Sequence, residues 1–264
     1  MQRLHFRYEM RIEYSVPVSS CHFTIKCIPK DTKRQIIANT KISLSQDAKY
    51  QLGVDGFRNA QLYGTDDIPH DLFVFSIEGD ATTGLSDYEE EVDEDIAMIF
   101  RHPHGLNISG EGIREFYNTL GHPKDGDAYG YACEVMHSLH DYMNYEPNST
   151  DKNTTAEEAF NQKKGVCQDY AHIFISLMHL AGISARYVTG LIIGEGASHA
   201  WVEILNNGKW YGIDPTNDTI VADEHIKIGV GRDANDCQIN RGIMHGGGLH
   251  VQTVSVNVSK EIGR

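Results

Sequence analysis

The sequence predicts an α+β protein, in which an N-terminal antiparallel β-sandwich is followed by a unit of mixed helices and strands. Two observations predict this class. Apolar residues alternate with polar ones from Arg7 to about Thr83, and they recur at helical spacing after an acidic run at 87–95. We therefore predict a β-sandwich domain at 1–84, an acidic linker at 85–95 and a second domain at 96–264.

Composition and charge exclude several classes of protein. The chain has 264 residues and a formal net charge of −14, whereas sequence-independent binding to nucleic acid needs clustered cations. The longest purely apolar runs, such as Ile96–Phe100, fall far short of the ~18 residues that span a bilayer. The N-terminus does not read as a secretory signal, so we expect a cytoplasmic protein without nucleic-acid or membrane partners. Its oligomeric state is not predicted.

Short alternating runs define the strands of the first domain. Examples are Tyr8–Tyr14, Phe23–Cys27 and Phe73–Ile77, and turn residues such as Gly64–Asp67 separate the runs. Six or seven short strands of this kind are typical of an antiparallel sandwich.

The predicted linker is defined by its charge. Seven of the nine residues from Asp87 to Asp95 are acidic, and mutual repulsion predicts a solvated, poorly packed segment. A calcium loop is the alternative, but the glycine and ligand spacing of an EF-hand is missing. The sequence therefore predicts a linker.

Helical spacing returns after the linker, for example over Ile113–Leu120 and Val135–Met143. Thr155 and Glu158 form a capping-box signal that predicts a short helix. A longer apolar helix is predicted from Cys167, with Gly182 as its stop. Strands are then predicted at 186–193, 198–205 and 209–214, and a final strand at 251–258 could join either domain.

Cys167 is the candidate nucleophile. It follows Gly165-Val166 at the junction of a loop and a helix, where free backbone N–H groups and the positive end of the helix dipole favour a thiolate. The chain has five cysteines without C-x-x-C spacing, which argues against a disulfide scaffold or a zinc knot. Cys27 and Cys133 are interpreted as inert packing residues.

His199 and Asp214 are the candidate partners of this thiol. In the strand Ser198–Ile204, the face with Ala200 and Val202 is apolar, so His199 lies on the opposite face. The chain returns antiparallel to Asp214. With a two-residue loop at Asn206–Asn207 Asp214 lies opposite His199, and with a four-residue loop it lies opposite Trp201. Both registers put Asp214 on the face of His199, whereas a three-residue loop needs a bulge to do so.

The local sequences Gly165–His172, Ser198–Glu203 and Gly212–Thr216, in the order Cys, His, Asp, resemble the transglutaminase-like superfamily. More narrowly, the chain is similar to bacterial transglutaminase-like cysteine proteases, and the similarity covers nearly the whole chain. The resemblance implies a papain-like α+β core in which Cys167 is the nucleophile, His199 the base and Asp214 the acid that orients it. It also implies a second oxyanion donor upstream, for which Tyr145 is the candidate, with Tyr142 as the alternative and core packing as a third interpretation of both.

The predicted function is that of a thiol-dependent hydrolase, a cysteine protease or amidase acting on a peptide or amide substrate through an acyl-enzyme. Transfer of the acyl group to an amine is one alternative, and a non-catalytic peptide-binding module is another. No cofactor and no metal are expected. Histidines that invite a metal hypothesis (His102, His104, His137, His140) are interpreted as surface residues. Asp169 and His172 could form a structural pair or supply a charge at the helix start, and both are left outside the site.

Overall fold

The computed structural model describes residues 1–45, 48–92, 97–124 and 126–261. Its strands in the N-terminal third are β1 (Gln2–Ile25), β2 (Gln35–Leu44), β3 (Lys49–Val54), β4 (Ala60–Asp66) and β5 (His70–Thr83). The later strands are β6 (Asn144–Tyr145), β7 (Lys164–Gly165), β8 (Ala185–Ile192), β9 (Gly194–Gly196), β10 (His199–Asn206), β11 (Lys209–Asp214), β12 (Thr219–Ile220), β13 (His225–Gly231), β14 (Asn240–Gly246) and β15 (His250–Lys260).

The α-helices are α1 (Glu111–Thr119), α2 (Ala128–Tyr142), α3 (Ala156–Gln162) and α4 (Cys167–Leu180), and two short 3-10 helices lie at Met98–Phe100 and Gly105–Asn107. No helix in the described ranges is both long and apolar enough to cross a membrane. The mixed content confirms the predicted α+β class.

The first sheet is built around β1. Alternate residues of β1, such as Leu4, Phe6 and Tyr8, are buried as the period-two pattern predicts. β1 has 24 residues, whereas the sequence predicts several shorter strands. Pro17 does not end β1. The pairing of β1 with β5 is interrupted between Glu13 and Val18, so the missing amide hydrogen of Pro17 costs no hydrogen bond to β5. The strands β1 to β5 belong to one curled antiparallel sheet that is connected through β1. The predicted β-sandwich, with two sheets packed face to face, stays a prediction.

Strands from the C-terminal end complete this first sheet. β15 pairs with β1 from Leu4 to Tyr14, and β14 pairs with the following half of β1. The final strand, which the sequence leaves open, therefore joins the N-terminal sheet. The sequence groups residues 96–264 into one domain. In the structure, β14 and β15 from the end of this range hydrogen-bond to β1 and so belong to the N-terminal sheet.

The acidic segment packs against the protein over its described part. Glu89 is buried, and its backbone and that of Glu90 exchange hydrogen bonds with Trp210 of β11 at 2.9 and 3.1 Å. Glu90 also pairs with Arg186 at 2.7 Å. The expectation of a solvated linker at 85–95 is thus wrong for Glu89, because Lys227 of β13, 3.7 Å away, compensates its buried charge. The Glu90 side chain stays exposed. Residues 93–95 of the predicted linker lie outside the described residues.

The second sheet has the order β12-β11-β10-β8-β13 and carries two of the predicted site residues. One of its faces packs on the helices through Ala200, Val202 and Ile204. The strand and helix positions predicted around α3, α4, β8, β10 and β11 are confirmed to within one or two residues. The capping box between Thr155 and Glu158 is confirmed as well.

The hairpin of β10 and β11 has the register in which Val202 pairs with Ile213 and Asn206 with Lys209. Continued by one pair, this register puts Asp214 across from Trp201. The sequence predicts that register with a four-residue loop, but the loop is Asn207–Gly208. Two residues suffice because both have positive φ, 50° and 71°, as in a type I′ turn.

Candidate active site

Cys167 is the first residue of α4, the helix that crosses the core of the second half. The Asp169 carboxylate fixes this helix start, since its Oδ2 accepts hydrogen bonds from the Val166 backbone N–H at 2.8 Å and from the Thr150 hydroxyl at 2.6 Å. Gly165 is needed here, because a Cβ on it would lie 2.7 Å from the Asp169 Cβ. The thiol is partly exposed, so a substrate can reach it.

His199 and Asp214 meet at one end of the hairpin. His199 is the first residue of β10, Asp214 is the last residue of β11, and His199 Nε2 lies 2.7 Å from Asp214 Oδ2. The Cys167 thiol lies close enough to the same imidazole to contribute to raising its pKa. Because Nε2 faces Asp214, Nδ1 is the ring nitrogen left for the thiol. The structure thus brings the three predicted residues Cys167, His199 and Asp214 together.

Asp214 is fully buried and accepts hydrogen bonds on both oxygens. Besides His199, Oδ2 faces His225 Nε2 at 3.2 Å and accepts from Asn217 Nδ2 at 2.7 Å. Oδ1 accepts from the backbone N–H groups of Thr216 and Asn217 at 3.1 and 3.3 Å. Sequence reasoning missed His225 and Asn217. The turn-forming sequence Asp214–Asn217 could have indicated that Asn217 lies near Asp214. No local pattern identifies His225, which comes from β13.

The charges of the site follow from these contacts. Burial disfavours the charged imidazolium, but the hydrogen bonds with Asp214 and Cys167 outweigh burial and raise the pKa of His199 to about 10. Burial likewise opposes ionisation of Asp214, yet its hydrogen bonds from His199 and His225 hold the pKa of this carboxyl well below its usual range. At neutral pH the site therefore holds an imidazolium between a carboxylate and a thiol group.

Tyr145 lies beside the nucleophile. It is paired in parallel with Gly165 through β6 and β7, and burial together with the nearby Cys167 raises the pKa of its phenol. The alternative residue, Tyr142, stacks on Phe160 with a centroid distance of 4.6 Å and also contacts Phe116. Tyr142 is thus an aromatic packing residue, and Tyr145 is the tyrosine that neighbours the thiol.

Asp169 and His172 do not pair with each other. Asp169 caps α4, whereas His172 Nε2 accepts the backbone N–H of Ala234 at 3.1 Å and its ring packs on Tyr187. Burial lowers the pKa of His172 to about 4, so this histidine is neutral. The possible i,i+3 pair of Asp169 and His172 is therefore wrong, because Asp169 binds Val166 and His172 binds Ala234.

Two groups of side chains have the donor atoms that a metal ion needs. His199, Asp214 and His225 form one, and His104, Asp233 and Asp236 form the other, with ligand atoms within 4.8 Å of one another. In the first group both imidazoles use Nε2 towards Asp214, so an ion there would displace those hydrogen bonds. His137 pairs with Asp218 and His140 with the Pro215 carbonyl.

The face of β10 opposite the helices is buried too. Trp201 is fully buried, 6.1 Å from the His199 ring and 5.3 Å from the His225 ring between centroids. Glu203 is fully buried as well and pairs with Arg186 at 2.6 Å and with Lys227 at 2.7 Å. Trp201 therefore supports the two histidines from within the protein.

Residues 120–215 match the sequence profile of the Transglutaminase-like superfamily. This segment holds Cys167, His199 and Asp214. We call residues 120–215 the transglutaminase-like core, after the profile that they match. The resemblance predicted from the three local sequences is thereby confirmed over these residues.

Two bacterial relatives are similar to part of this chain. An uncharacterized protein of Mycobacterium leprae is 35% identical over 128 residues, 45% of this chain and 46% of that protein. One of Mycobacterium bovis is 34% identical over 117 residues, 38% of this chain and 37% of that protein. The match thus spans less than half the length of these bacterial relatives.

A solved structure is similar over the entire chain. It is described as a "putative cysteine protease" from Cytophaga hutchinsonii and is 20% identical, with a TM-score of 0.82 over 100% of this chain and 92% of that chain. This likeness confirms the fold around the transglutaminase-like core, including the curled sheet.

Proposed function

We propose that the protein is a thiol-dependent hydrolase that cleaves a peptide or carboxamide bond through Cys167, His199 and Asp214. The observation that carries the proposal is the position of His199, which lies beside the Cys167 thiol and contacts the fully buried Asp214 carboxylate at 2.7 Å. A nucleophile, a base and a group that orients the base form the set that acyl transfer to a thiol needs.

In the first half of the reaction, the Cys167 thiolate adds to the carbonyl carbon of the substrate, and the carbonyl oxygen becomes an oxyanion. The backbone N–H of Cys167, at the start of α4, is one donor to this oxyanion, and the Tyr145 hydroxyl is the proposed second. The His199 imidazolium gives its Nδ1 proton to the leaving nitrogen. The C–N bond then breaks, and an amine and a Cys167 thioester remain.

In the second half, neutral His199 takes a proton from water at Nδ1 while the water oxygen adds to the thioester carbonyl. The C–S bond breaks, the carboxylic acid leaves and the thiolate–imidazolium pair is restored. Asp214 keeps the Nε2–H of His199 directed inward throughout, so Nδ1 always faces the reacting atoms. Partial exposure of Cys167 supports water as the acceptor, because transfer to an amine requires a site that excludes water.

Two measurements test this proposal against its alternatives. With a glutamine-containing peptide, release of ammonia and incorporation of a labelled primary amine are followed together. We expect ammonia release to exceed incorporation at millimolar amine, and both to disappear in Cys167→Ala. Stoichiometric incorporation would favour an acyltransferase. A peptide that binds equally well to the protein and to Cys167→Ala, and is never cleaved, would favour a binding module.

A further inference from the structure

A groove of about 530 Å³ lies between the curled sheet and the start of α4. Its lining includes residues of β1 and β14 together with Lys152 and Gln168. Gln168 directly follows the nucleophile in α4. A molecule bound in the groove is therefore close to Cys167, and the N-terminal sheet forms part of its surroundings.

The charge of the groove is opposite to that of the whole protein. The chain carries a net charge of −14, but the groove lining includes Lys152 and Arg241 and no aspartate or glutamate. Apolar side chains such as Phe23 and Met244 make up much of the remaining lining. These surroundings favour an occupant that carries both carboxylates and apolar side chains.

The groove follows the edge of a strand. Among the described strands β14 pairs with β1 alone, so its other edge presents backbone N–H and C=O groups. Neighbouring side chains of a strand point to opposite faces, and a groove on one face would touch alternate residues. Here every residue from Gln238 to Met244 lines the groove, so residues from both faces of β14 border it and an occupant can reach the open edge between those faces. Such an edge is a template for an added strand.

We infer that this groove binds an extended acidic and apolar segment of the substrate, which adds as a strand to β14 and leads the scissile carbonyl to Cys167. This inference rests on the proposed function and names its substrate class. The backbone of the segment pairs with β14, while its carboxylates meet Lys152 and Arg241. Cleavage would thus favour acidic peptides, although the protein itself is acidic.

Binding is measured on the full chain with Cys167→Ala, so that the ligand is not consumed. The probe is a fluorescent ten-residue peptide that alternates glutamate with leucine or valine, and anisotropy reports its affinity. Matched peptides carry glutamine in place of glutamate, or N-methyl groups along one backbone edge. The variant is Lys152→Glu/Arg241→Glu, and Arg114→Glu is the control, since this exposed arginine on α1 is outside the groove lining.

We expect the glutamate peptide to bind at least about fivefold more tightly than the glutamine peptide, as exposed charge pairs allow. The double charge reversal should invert this order, Arg114→Glu should preserve it, and N-methylation should abolish binding. Equal affinity for the first two peptides, an unchanged order in the double variant, or unaffected binding of the N-methylated peptide would overturn the inference. A dimer held together by β14, detected by sedimentation and lost in the double variant, would overturn it too.

Failure of the proposed function gives a different result. Acylation of Cys167 by small uncharged esters does not need the groove. If these esters acylate the wild-type thiol while the peptides bind without preference, the hydrolase proposal survives and only the groove inference fails.

Discussion

Asp214 organises the site at the scale of single residues. Its Oδ2 faces the Nε2 atoms of His199 and His225. It also accepts hydrogen bonds from the Asn217 amide and from two backbone N–H groups. A carboxylate held this way stays ionised and fixes the ring of His199. Protonation of His199 therefore depends on a charge that lies 2.7 Å from its Nε2.

Asp214→Asn tests this dependence through the pH profile of kcat/KM. The imidazolium that protonates the leaving group is lost as the pH rises through the pKa of His199, which is about 10. Removing the carboxylate charge destabilises the imidazolium, so the alkaline limb should move to lower pH by about one to three units. An alkaline limb at the same pH in Asp214→Asn would contradict the assigned role of Asp214.

Cys167 should be the most reactive of the five thiols near pH 6. Burial raises the pKa of Cys21, Cys27, Cys133 and Cys237, whereas Cys167 is partly exposed at a helix start beside an imidazolium. Peptide mapping after brief treatment with iodoacetamide measures the rate at each cysteine. His199→Ala should slow labelling at Cys167 alone, and equal labelling of Cys167 and Cys133 would be evidence for the binding module.

The sequence predicts much of the site at this scale, since Cys167, His199 and Asp214 stand out by helix start, strand face and hairpin return. It does not predict His225. This residue reaches Asp214 because β13 adds to the far edge of β8, and no spacing along the chain specifies that long-range pairing.

The start of α4 is the element on which the nucleophile depends. Asp169 is buried and joins Val166 of the helix start to Thr150 of the preceding loop. Without an acceptor there, two partly buried donors would lose their partner and the first turn that carries Cys167 would loosen.

Asp169→Leu should therefore lower the free energy of unfolding by about 2 kcal/mol, the usual cost of losing hydrogen bonds to a charged group, and slow alkylation of Cys167. Urea unfolding and the labelling rate measure the two effects. Asp169→Asn is the matched control, because its amide oxygen can still accept from Val166. If Asp169→Leu is as stable and as reactive as Asp169→Asn, the cap does not position the thiol.

Boundaries of elements with local signals agree closely with prediction. The capping box at Thr155 consists of a few adjacent residues and is confirmed. The turn at Asn207–Gly208 lies one residue beyond the predicted two-residue loop Asn206–Asn207. The length of β1 is not predictable in this way, because whether Pro17 ends a strand depends on where the ladder to β5 is interrupted.

At the scale of the whole molecule, a buried ionic network joins the acidic segment to the second sheet. Lys227 lies 2.7 Å from Glu203 and 3.7 Å from Glu89, and Arg186 pairs with Glu203 and Glu90. Burial alone would raise the pKa of Glu203, but Arg186 and Lys227 outweigh it and keep the pKa low. The sequence predicts a solvated linker here because the cations that compensate the acidic residues, Arg186 and Lys227, come from strands far away along the chain.

Lys227→Met should lower the free energy of unfolding by about 3 kcal/mol, since it leaves the charges of Glu203 and Glu89 buried with fewer partners. Lys227→Arg, which keeps the charge, should recover most of the loss. Lys41→Met removes a largely exposed partner of Glu78 and should change stability by at most about 0.5 kcal/mol. A Lys227→Met protein as stable as Lys41→Met in urea would mean that the network adds nothing to stability.

The central claim is that Cys167 forms an acyl-enzyme with the help of His199 and Asp214. Intact-protein mass spectrometry after exposure to a panel of amide and ester substrates, quenched in acid, tests it directly. We expect a mass increase equal to one acyl group, mapped to Cys167 in the digested protein, lost in Cys167→Ala and strongly reduced in His199→Ala. No adduct from any substrate, or an adduct that persists in Cys167→Ala, would contradict it.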